Sequence, residues 1–138
     1  MTVHQDDLIH LLNQTVRWMN QKVNVALQPY GLYHSQWSIL YCVHKFNTLT
    51  QKEIATYLNV EAPTITRTVK KLMDNDWIIR EKGQDKRANQ IYLTEKTKAE
   101  IAQISESITA VHDEVLASLT GEQHKQLRDI LLKLMREV

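Results

Sequence analysis

Glycine and proline are scarce in this chain, whose 138 residues include three Gly and two Pro. Few tight turns are available, which disfavours a fold of many short strands and favours a mostly helical one. One cysteine, Cys42, allows no internal disulfide and no Cys-x-x-Cys metal motif. The longest purely apolar run, residues 39–43, is too short to cross a membrane, and no signal-type segment opens the sequence. We therefore expect a helical protein that stays in the cytoplasm.

Positive and negative charges nearly balance over the whole sequence, at 17 Lys and Arg against 16 Asp and Glu. They are unevenly distributed. Residues 63–90 hold seven Lys or Arg against four Asp or Glu, whereas residues 95–138 hold six against eight. The near-zero net charge argues against a strongly basic nucleic-acid protein, and the basic excess within residues 63–90 indicates where a functional surface should be sought.

Apolar residues recur at three- and four-residue steps, the period of amphipathic helices. This pattern predicts helices over residues 6–28 and 35–46. The second helix is predicted to carry one apolar face, formed by Trp37, Leu40, Tyr41 and His44. Thr50 and Glu53 then form a capping box, in which each side chain satisfies a free backbone N–H at the start of a third helix.

A fourth helix is predicted to start at Pro63, because proline suits a first helical position where its missing N–H is not needed. Its inward face is predicted to consist of Ile65, Val69, Leu72 and Met73. Residues 77–82 and 90–93 have strand-forming composition and flank a polar stretch, which predicts a hairpin. Two short helices followed by a hairpin, or wing, indicate a winged helix-turn-helix, with the fourth helix entering the major groove of DNA.

The candidate DNA-contacting residues lie on this fourth helix and at the hairpin tip. On the helix, threonine can donate to phosphate or contact a thymine methyl group, and Arg67 and Lys70 can reach guanine or phosphate. At the tip, Asp85 can hold the guanidinium of Arg87 extended toward a phosphate or a narrow minor groove. The complete predicted set is Pro63, Thr64, Thr66, Arg67, Lys70, Lys71, Asp85, Lys86 and Arg87.

The sequence after Thr94 turns helical again and carries an apolar seam like that of a coiled coil. Its members are Ile101, Ile104, Ile108, Val111, Val115 and Leu119. One seam on a single long helix needs a partner, which predicts a dimer. A second capping box, at residues 120–123, starts an amphipathic last helix. We expect residues 1–34 and 95–138 to form a helical dimerisation region around a DNA-binding region, 35–94, in one continuous domain.

Several motifs resemble those of the MarR family of bacterial transcription regulators. Asp85-Lys86-Arg87, followed after five residues by Leu93-Thr94, is similar to the family's D-x-R…L-T wing signature. The segment 49–55 resembles its L-T-x-x-E-L-A motif, and residues 36–40 and 64–69 are similar to its second-helix and recognition-helix patterns. The chain departs from the family pattern at four positions, where Tyr33 replaces a small residue, Trp77 a Leu, and Asp76 and Thr97 each a Gly.

This resemblance implies a homodimer whose terminal helices interdigitate and whose two reading heads bind a pseudopalindromic operator, usually as a repressor. It also implies a small aromatic or phenolic effector between the dimerisation and DNA-binding parts. The candidate effector-binding residues are Arg17, Trp18, Tyr33, Trp37 and Tyr41. For the aromatic members of this set, packing in the core is the alternative interpretation.

Two other classes of function compete with DNA-binding regulation. A winged-helix module that binds proteins and not DNA would not need a basic wing tip together with Arg67 and Lys70. An enzyme is not expected, because the sequence has no Gly-rich phosphate loop, nucleophile elbow or His-Glu-x-x-His motif. We expect no cofactor and no metal, since the histidines lack ligand spacing, and we expect Cys42 to be a buried structural thiol.

Overall fold

The computed structural model describes residues 5–82 and 89–136, which form helices and a small antiparallel sheet. The helices are α1 Gln5–Leu27, α2 His34–Phe46, α3 Gln51–Leu58, α4 Ala62–Asp74, α5 Glu95–Leu116 and α6 Gly121–Arg136, with a 3-10 turn at Gln28–Tyr30. The strands are β1 Leu49–Thr50, β2 Ile78–Lys82 and β3 Asn89–Leu93. The predicted fold, mainly helical with a hairpin wing, is confirmed.

The sheet has the order β1-β3-β2, so the predicted hairpin is joined by a strand that was not predicted. β1 pairs Leu49 with Ile91, and β2 pairs Arg80 with the same residue from the other side. The Thr48 hydroxyl also donates to the carbonyl of Ile91 at 2.9 Å. Because β1 leads directly into α3, this pairing fixes the base of the wing to the helix-turn-helix.

The α2 helix lies in the middle of the molecule and packs against α1, α4 and β3. The predicted apolar face is wrong in two of its four members, because Tyr41 and His44 are exposed. A broader face of α2 than a single stripe is buried, because other elements pack against this helix on several sides. Its buried residues are Trp37, Ile39, Leu40, Cys42 and Val43.

Both predicted capping boxes are present. Thr50 Oγ1 accepts from the backbone N–H of Glu53 at 3.1 Å, and Glu53 Oε1 accepts from that of Thr50 at 2.9 Å. Thr120 and Gln123 make the same reciprocal pair before α6. The α4 helix begins at Ala62, one residue earlier than predicted, so Pro63 takes the second helical position. Proline is tolerated there too, since the first four N–H groups of a helix have no intrahelical acceptor.

Asparagine and aspartate occupy left-handed backbone positions that glycine usually fills. The φ angles are 68° at Asn47, 56° at Asn59 and 63° at Asp76, beside 70° at Gly31. Asp76 follows the end of α4 and donates its N–H to the Met73 carbonyl at 3.1 Å. The turn that resembles a glycine turn of the MarR family therefore forms with aspartate, which tolerates this conformation better than most residues do.

The apolar seam of α5 is covered mainly by its own chain, which corrects the expectation that the whole seam needs a second copy. Ile101, Ile104 and Ile108 are buried in the same core as Val23 and Leu27 of α1. α1 packs along α5, and Lys22 reaches Glu114 at 3.6 Å between the two helices. The periodic pattern indicates that a face is covered but does not say by which chain.

Two buried threonines join the start of α5 to the start of β2. Thr97 Oγ1 donates to the carbonyl of Trp77 at 2.7 Å, and Thr94 Oγ1 donates to that of Asp76 at 2.9 Å. Thr94 Oγ1 also accepts from the backbone N–H of Thr97 at 3.2 Å. Thr97, one of the departures from the family pattern, thus has a structural role that glycine could not fill.

Candidate nucleic-acid interface

The α4 helix has one buried and one polar exposed side, as its sequence predicts. Ile65, Val69 and Leu72 are buried, and Met73 is half-buried. The predicted DNA-contacting residues of this helix are all exposed: Pro63, Thr64, Thr66, Arg67, Lys70 and Lys71. A helix held in place by its apolar side therefore presents hydroxyls, a guanidinium and two ammonium groups to solvent, the groups that proteins use on phosphates and base edges.

Hydrogen bonds within the protein distinguish the threonines of α4. Thr64 Oγ1 accepts from Arg67 Nη2 at 3.3 Å. Thr66 Oγ1 lies 3.0 Å from the carbonyl oxygen of Ala62 and 3.2 Å from Oε1 of Gln51, both acceptors. Thr68 Oγ1 donates to the carbonyl of Thr64 at 3.0 Å.

Gln51, the first residue of α3, joins this surface although sequence reasoning missed it. It is half-buried and separated from Thr66 by 15 positions along the chain. The capping box shows that a helix starts here, but the contact with α4 depends on how α3 and α4 pack. A local sequence signal for this contact does not exist.

The described part of the wing adds cations to the same region of the chain. Arg80 and Lys82 are exposed on β2 and lie two residues apart, so they project from one face of the strand. Neither was predicted as a DNA contact. The predicted tip residues Asp85, Lys86 and Arg87 lie outside the described residues.

Comparison with known proteins places the sequence in a family. The family model described as MarR family matches residues 32–88, from just before α2 into the wing. An uncharacterized HTH-type transcriptional regulator of Bacillus subtilis strain 168, YwoH, is 45% identical over 115 residues, covering 83% of this chain and 84% of the relative. The chain belongs to the MarR family. It is therefore a transcriptional regulator, as its motifs predict.

Solved MarR structures share its fold over nearly the whole length. A cysteine-to-serine mutant of MarR from E. coli, complexed with operator DNA, has a TM-score of 0.86 and 23% identity, covering 93% of each chain. A MarR transcriptional regulator from Methanosarcina mazei Go1 has a TM-score of 0.84 and 19% identity, covering 96% of each chain. The similarity extends through the terminal helices, beyond the matched family segment.

The candidate effector-binding residues of this MarR chain differ widely in exposure. Trp37 is buried, and its ring lies 6.1 Å from that of Tyr41, which is exposed. Trp18 is also exposed, with Lys22 Nζ 5.0 Å from its ring centre, and Arg17 is exposed on α1. Tyr33 lines a cleft of about 300 Å³ between the end of α1 and the start of α2. Trp37 therefore has the core role that was the alternative interpretation, whereas the other four remain accessible.

A second cleft, of about 210 Å³, lies between the end of α2, the end of β3 and α5. Its lining combines apolar and polar side chains, namely Val43, His44, Asn47, Leu93, Lys98 and Ile101. None of these was predicted as a ligand contact. The cleft lies where the winged-helix part meets a terminal helix, because α5 begins two residues after β3 ends.

Cys42 is fully buried, which confirms the expected buried thiol. Burial raises its pKa, and the opposing charge of Lys45 does not cancel this effect. The thiol therefore stays protonated at neutral pH, whereas nucleophilic chemistry needs the thiolate. Among the residues that the structure describes, no group of three His, Cys, Asp or Glu side chains is arranged to hold a metal ion. Within the same ranges, no helix is both long and apolar enough to span a membrane.

Proposed function

We propose that this MarR regulator binds a pseudopalindromic DNA operator as a homodimer, with α4 in the major groove, and represses transcription from it. The observation that carries the proposal is the two-sided character of α4, apolar within the core and cationic outside. The fold shared with a MarR protein that was solved in complex with operator DNA supports DNA binding by this chain. A protein-binding winged helix without DNA affinity would have no use for exposed Arg67, Lys70 and Lys71 together.

We assign DNA binding and dimerisation to different parts of the chain on the basis of the exposure of its terminal helices. Residues 35–94 read DNA, and residues 1–34 and 95–138 dimerise. The α6 helix supports this assignment, because none of its described residues is buried and it exposes an apolar face of Leu127, Ile130, Leu131, Leu134 and Met135. An exposed stripe of this size on a terminal helix favours burial against a second copy.

A small aromatic or phenolic effector is proposed to act at the junction between these two parts. Arg17, Trp18, Tyr33 and Tyr41 are exposed, and the buried ring of Trp37 lies 6.1 Å from that of Tyr41. Regulation by binding requires neither catalysis nor a cofactor, and we propose neither for this chain. Its site of action is the cytoplasm, where bacterial DNA lies.

Replacing Arg67 tests the assignment of α4 as the reading helix. Arg67→Ala is expected to lower affinity by about 1–3 kcal/mol and to relax the preference at one base pair per half-site, because a bidentate guanidinium contact discriminates guanine from other bases. Selection from random DNA, with wild type and variant in parallel, measures both effects. Recovery of an unchanged motif by the variant would show that Arg67 does not read a base.

Replacing Arg87 tests the proposed role of the wing separately. Arg87→Ala is expected to weaken binding to all sequences alike and to lower the slope of log K against log salt by about one, because one fewer counterion is released. Titration at several salt concentrations measures the slope. Lys125→Ala in α6 serves as a control of equal charge change, and an equal slope change in both variants would contradict a wing contact.

A further inference from the structure

The three threonines of α4 have different hydrogen-bonding capacity left for DNA. A threonine hydroxyl has one hydrogen to donate and two lone pairs to accept. The hydroxyl of Thr64 accepts from Arg67 Nη2, and no acceptor for its own hydrogen is found among the described contacts. Thr66 instead has two acceptor oxygens within 3.2 Å, the carbonyl of Ala62 and Oε1 of Gln51. Its single hydrogen is therefore directed into the protein.

Thr66 is nevertheless exposed on the polar side of α4, one residue before Arg67. Using its hydroxyl as a donor to DNA would break a hydrogen bond within the protein, which offsets the gain. The γ-methyl group carries no such cost. In the major groove, the apolar feature that a methyl group can contact is the C5-methyl group of thymine.

We propose that Thr66 reads thymine through its γ-methyl group, and that Gln51 is the positioning residue that keeps the Thr66 hydroxyl turned away from the base. The inference rests on the proposed function of α4 as the reading helix. It assigns Thr64 the opposite role, a hydroxyl donor to phosphate or a base edge. The two threonines, although chemically identical, contribute different contacts because Gln51 neighbours one and Arg67 the other.

The test begins with the operator selected from random DNA by the wild-type protein. Each thymine of the selected site is then replaced in turn by uracil, which differs only in lacking the C5-methyl group. One thymine per half-site is expected to lose about fourfold in affinity on replacement, the factor for one buried methyl group. This ratio of affinities, thymine over uracil, is the readout for the variants.

Two substitutions at Thr66 separate its methyl group from its hydroxyl. Thr66→Val keeps a methyl group in nearly the same shape and is expected to keep the fourfold ratio. Thr66→Ser keeps the hydroxyl, lacks the methyl group, and is expected to bring the ratio close to one. A ratio lost in Thr66→Val and kept in Thr66→Ser would overturn the proposal, as would a wild-type site at which no thymine responds to uracil.

Gln51 is tested through the same ratio, which a merely structural role would not move. Gln51→Ala is expected to lower the ratio in the wild-type background but not in the Thr66→Val background, where there is no hydroxyl to hold. Gln51→Glu keeps the acceptor oxygen and is expected to keep the ratio, although its charge lowers overall affinity. An equal effect of Gln51→Ala in both backgrounds would exclude the positioning role. If the wild-type protein selects no motif at all, the proposed DNA-binding function itself fails.

Discussion

The α3–α4 pair and the α6 helix follow the same amphipathic pattern in the sequence, but their apolar sides differ in burial in the folded chain. The apolar side of α4 is buried in the core, where Val69 and Leu72 have no exposed surface. On α6, Ile130 is 56% exposed and Leu134 is 53% exposed, although their spacing is equally regular. Within the part of the chain that the structure describes, the apolar side of α4 is therefore covered by its own chain, whereas that of α6 is not.

This difference indicates that the two regions depend on concentration in different ways. Burial within one chain contributes to stability at any concentration. Burial between chains contributes only when a second copy is bound, so its effect follows mass action. Substitutions in the two regions are consequently expected to affect different measurements.

A charge on the apolar face of α6 is expected to have the largest effect. Leu131→Glu would place a carboxylate in the proposed interface, where desolvation of an unpaired charge is costly. The variant is expected to be monomeric by analytical ultracentrifugation. It should bind the operator about 100-fold or more weakly, because the α4 helices proposed to bind the two half-sites would no longer be joined in one dimer.

Lys125→Glu provides the control for this experiment, since it introduces the same residue on the polar side of α6 and alters net charge even more. It is expected to leave the dimer intact. A dimeric Leu131→Glu variant, or equal dissociation of both variants, would show that the apolar face of α6 is not the interface.

Truncation of a buried side chain in the α3–α4 pair is expected to have the next largest effect. Ile54 of α3 is fully buried, and Ile54→Ala should lower the free energy of unfolding by about 2–5 kcal/mol through lost contacts and a cavity. Ile130→Ala makes the same chemical change on α6. We expect the loss in Ile54→Ala to be independent of protein concentration and that in Ile130→Ala to depend on it, as measured by thermal unfolding over a range of concentrations. If the loss of stability depended on protein concentration in the same way in both variants, burial in the two regions would not differ in its need for a second copy.

The turn after α4 is expected to show the smallest effect and a gain in stability. Asp76 has a φ of 63°, and Asp76→Gly should stabilise the fold by about 0.5–1 kcal/mol because glycine adopts this conformation without steric cost. Asp74→Gly lies within the last turn of α4 and should destabilise by a similar amount. Chemical denaturation distinguishes the two. Destabilisation by Asp76→Gly would mean that contacts of the aspartate side chain raise the free energy of unfolding by more than the strain at its φ angle lowers it.

Features that depend on near neighbours in the sequence could be predicted, and features that depend on packing could not. The capping pair of Thr50 and Glu53 spans three residues, so its chemistry is visible locally, and the hairpin follows from composition alone. The two-residue strand β1 is too short for any periodic pattern. The exposure of Tyr41 depends on which elements surround α2, and this information is absent from its own segment.

The candidate site divides in the same way. The polar side of α4 follows from the spacing of Ile65, Val69 and Leu72, so its exposed cations could be predicted. The contact of Gln51 with Thr66 joins two helices and could not. The partner of the α5 seam was assigned wrongly because Ile104 would look the same whether α1 or a second chain covered it.

The threonine hydrogen bonds at the base of the wing have a mechanical consequence for the proposed dimer. Rotation of α5 about its own axis would pull the hydroxyls of Thr94 and Thr97 away from the carbonyls of Asp76 and Trp77, leaving buried polar groups unpaired at about 1–3 kcal/mol each. Asp76 and Trp77 are in turn hydrogen-bonded to the last turn of α4, so we expect the first turn of α5 and the end of α4 to move together. In the proposed dimer, we expect a ligand that changes the angle between the two α5 helices to change the spacing of the two α4 helices as well, and with it the proposed match to the helical repeat of DNA.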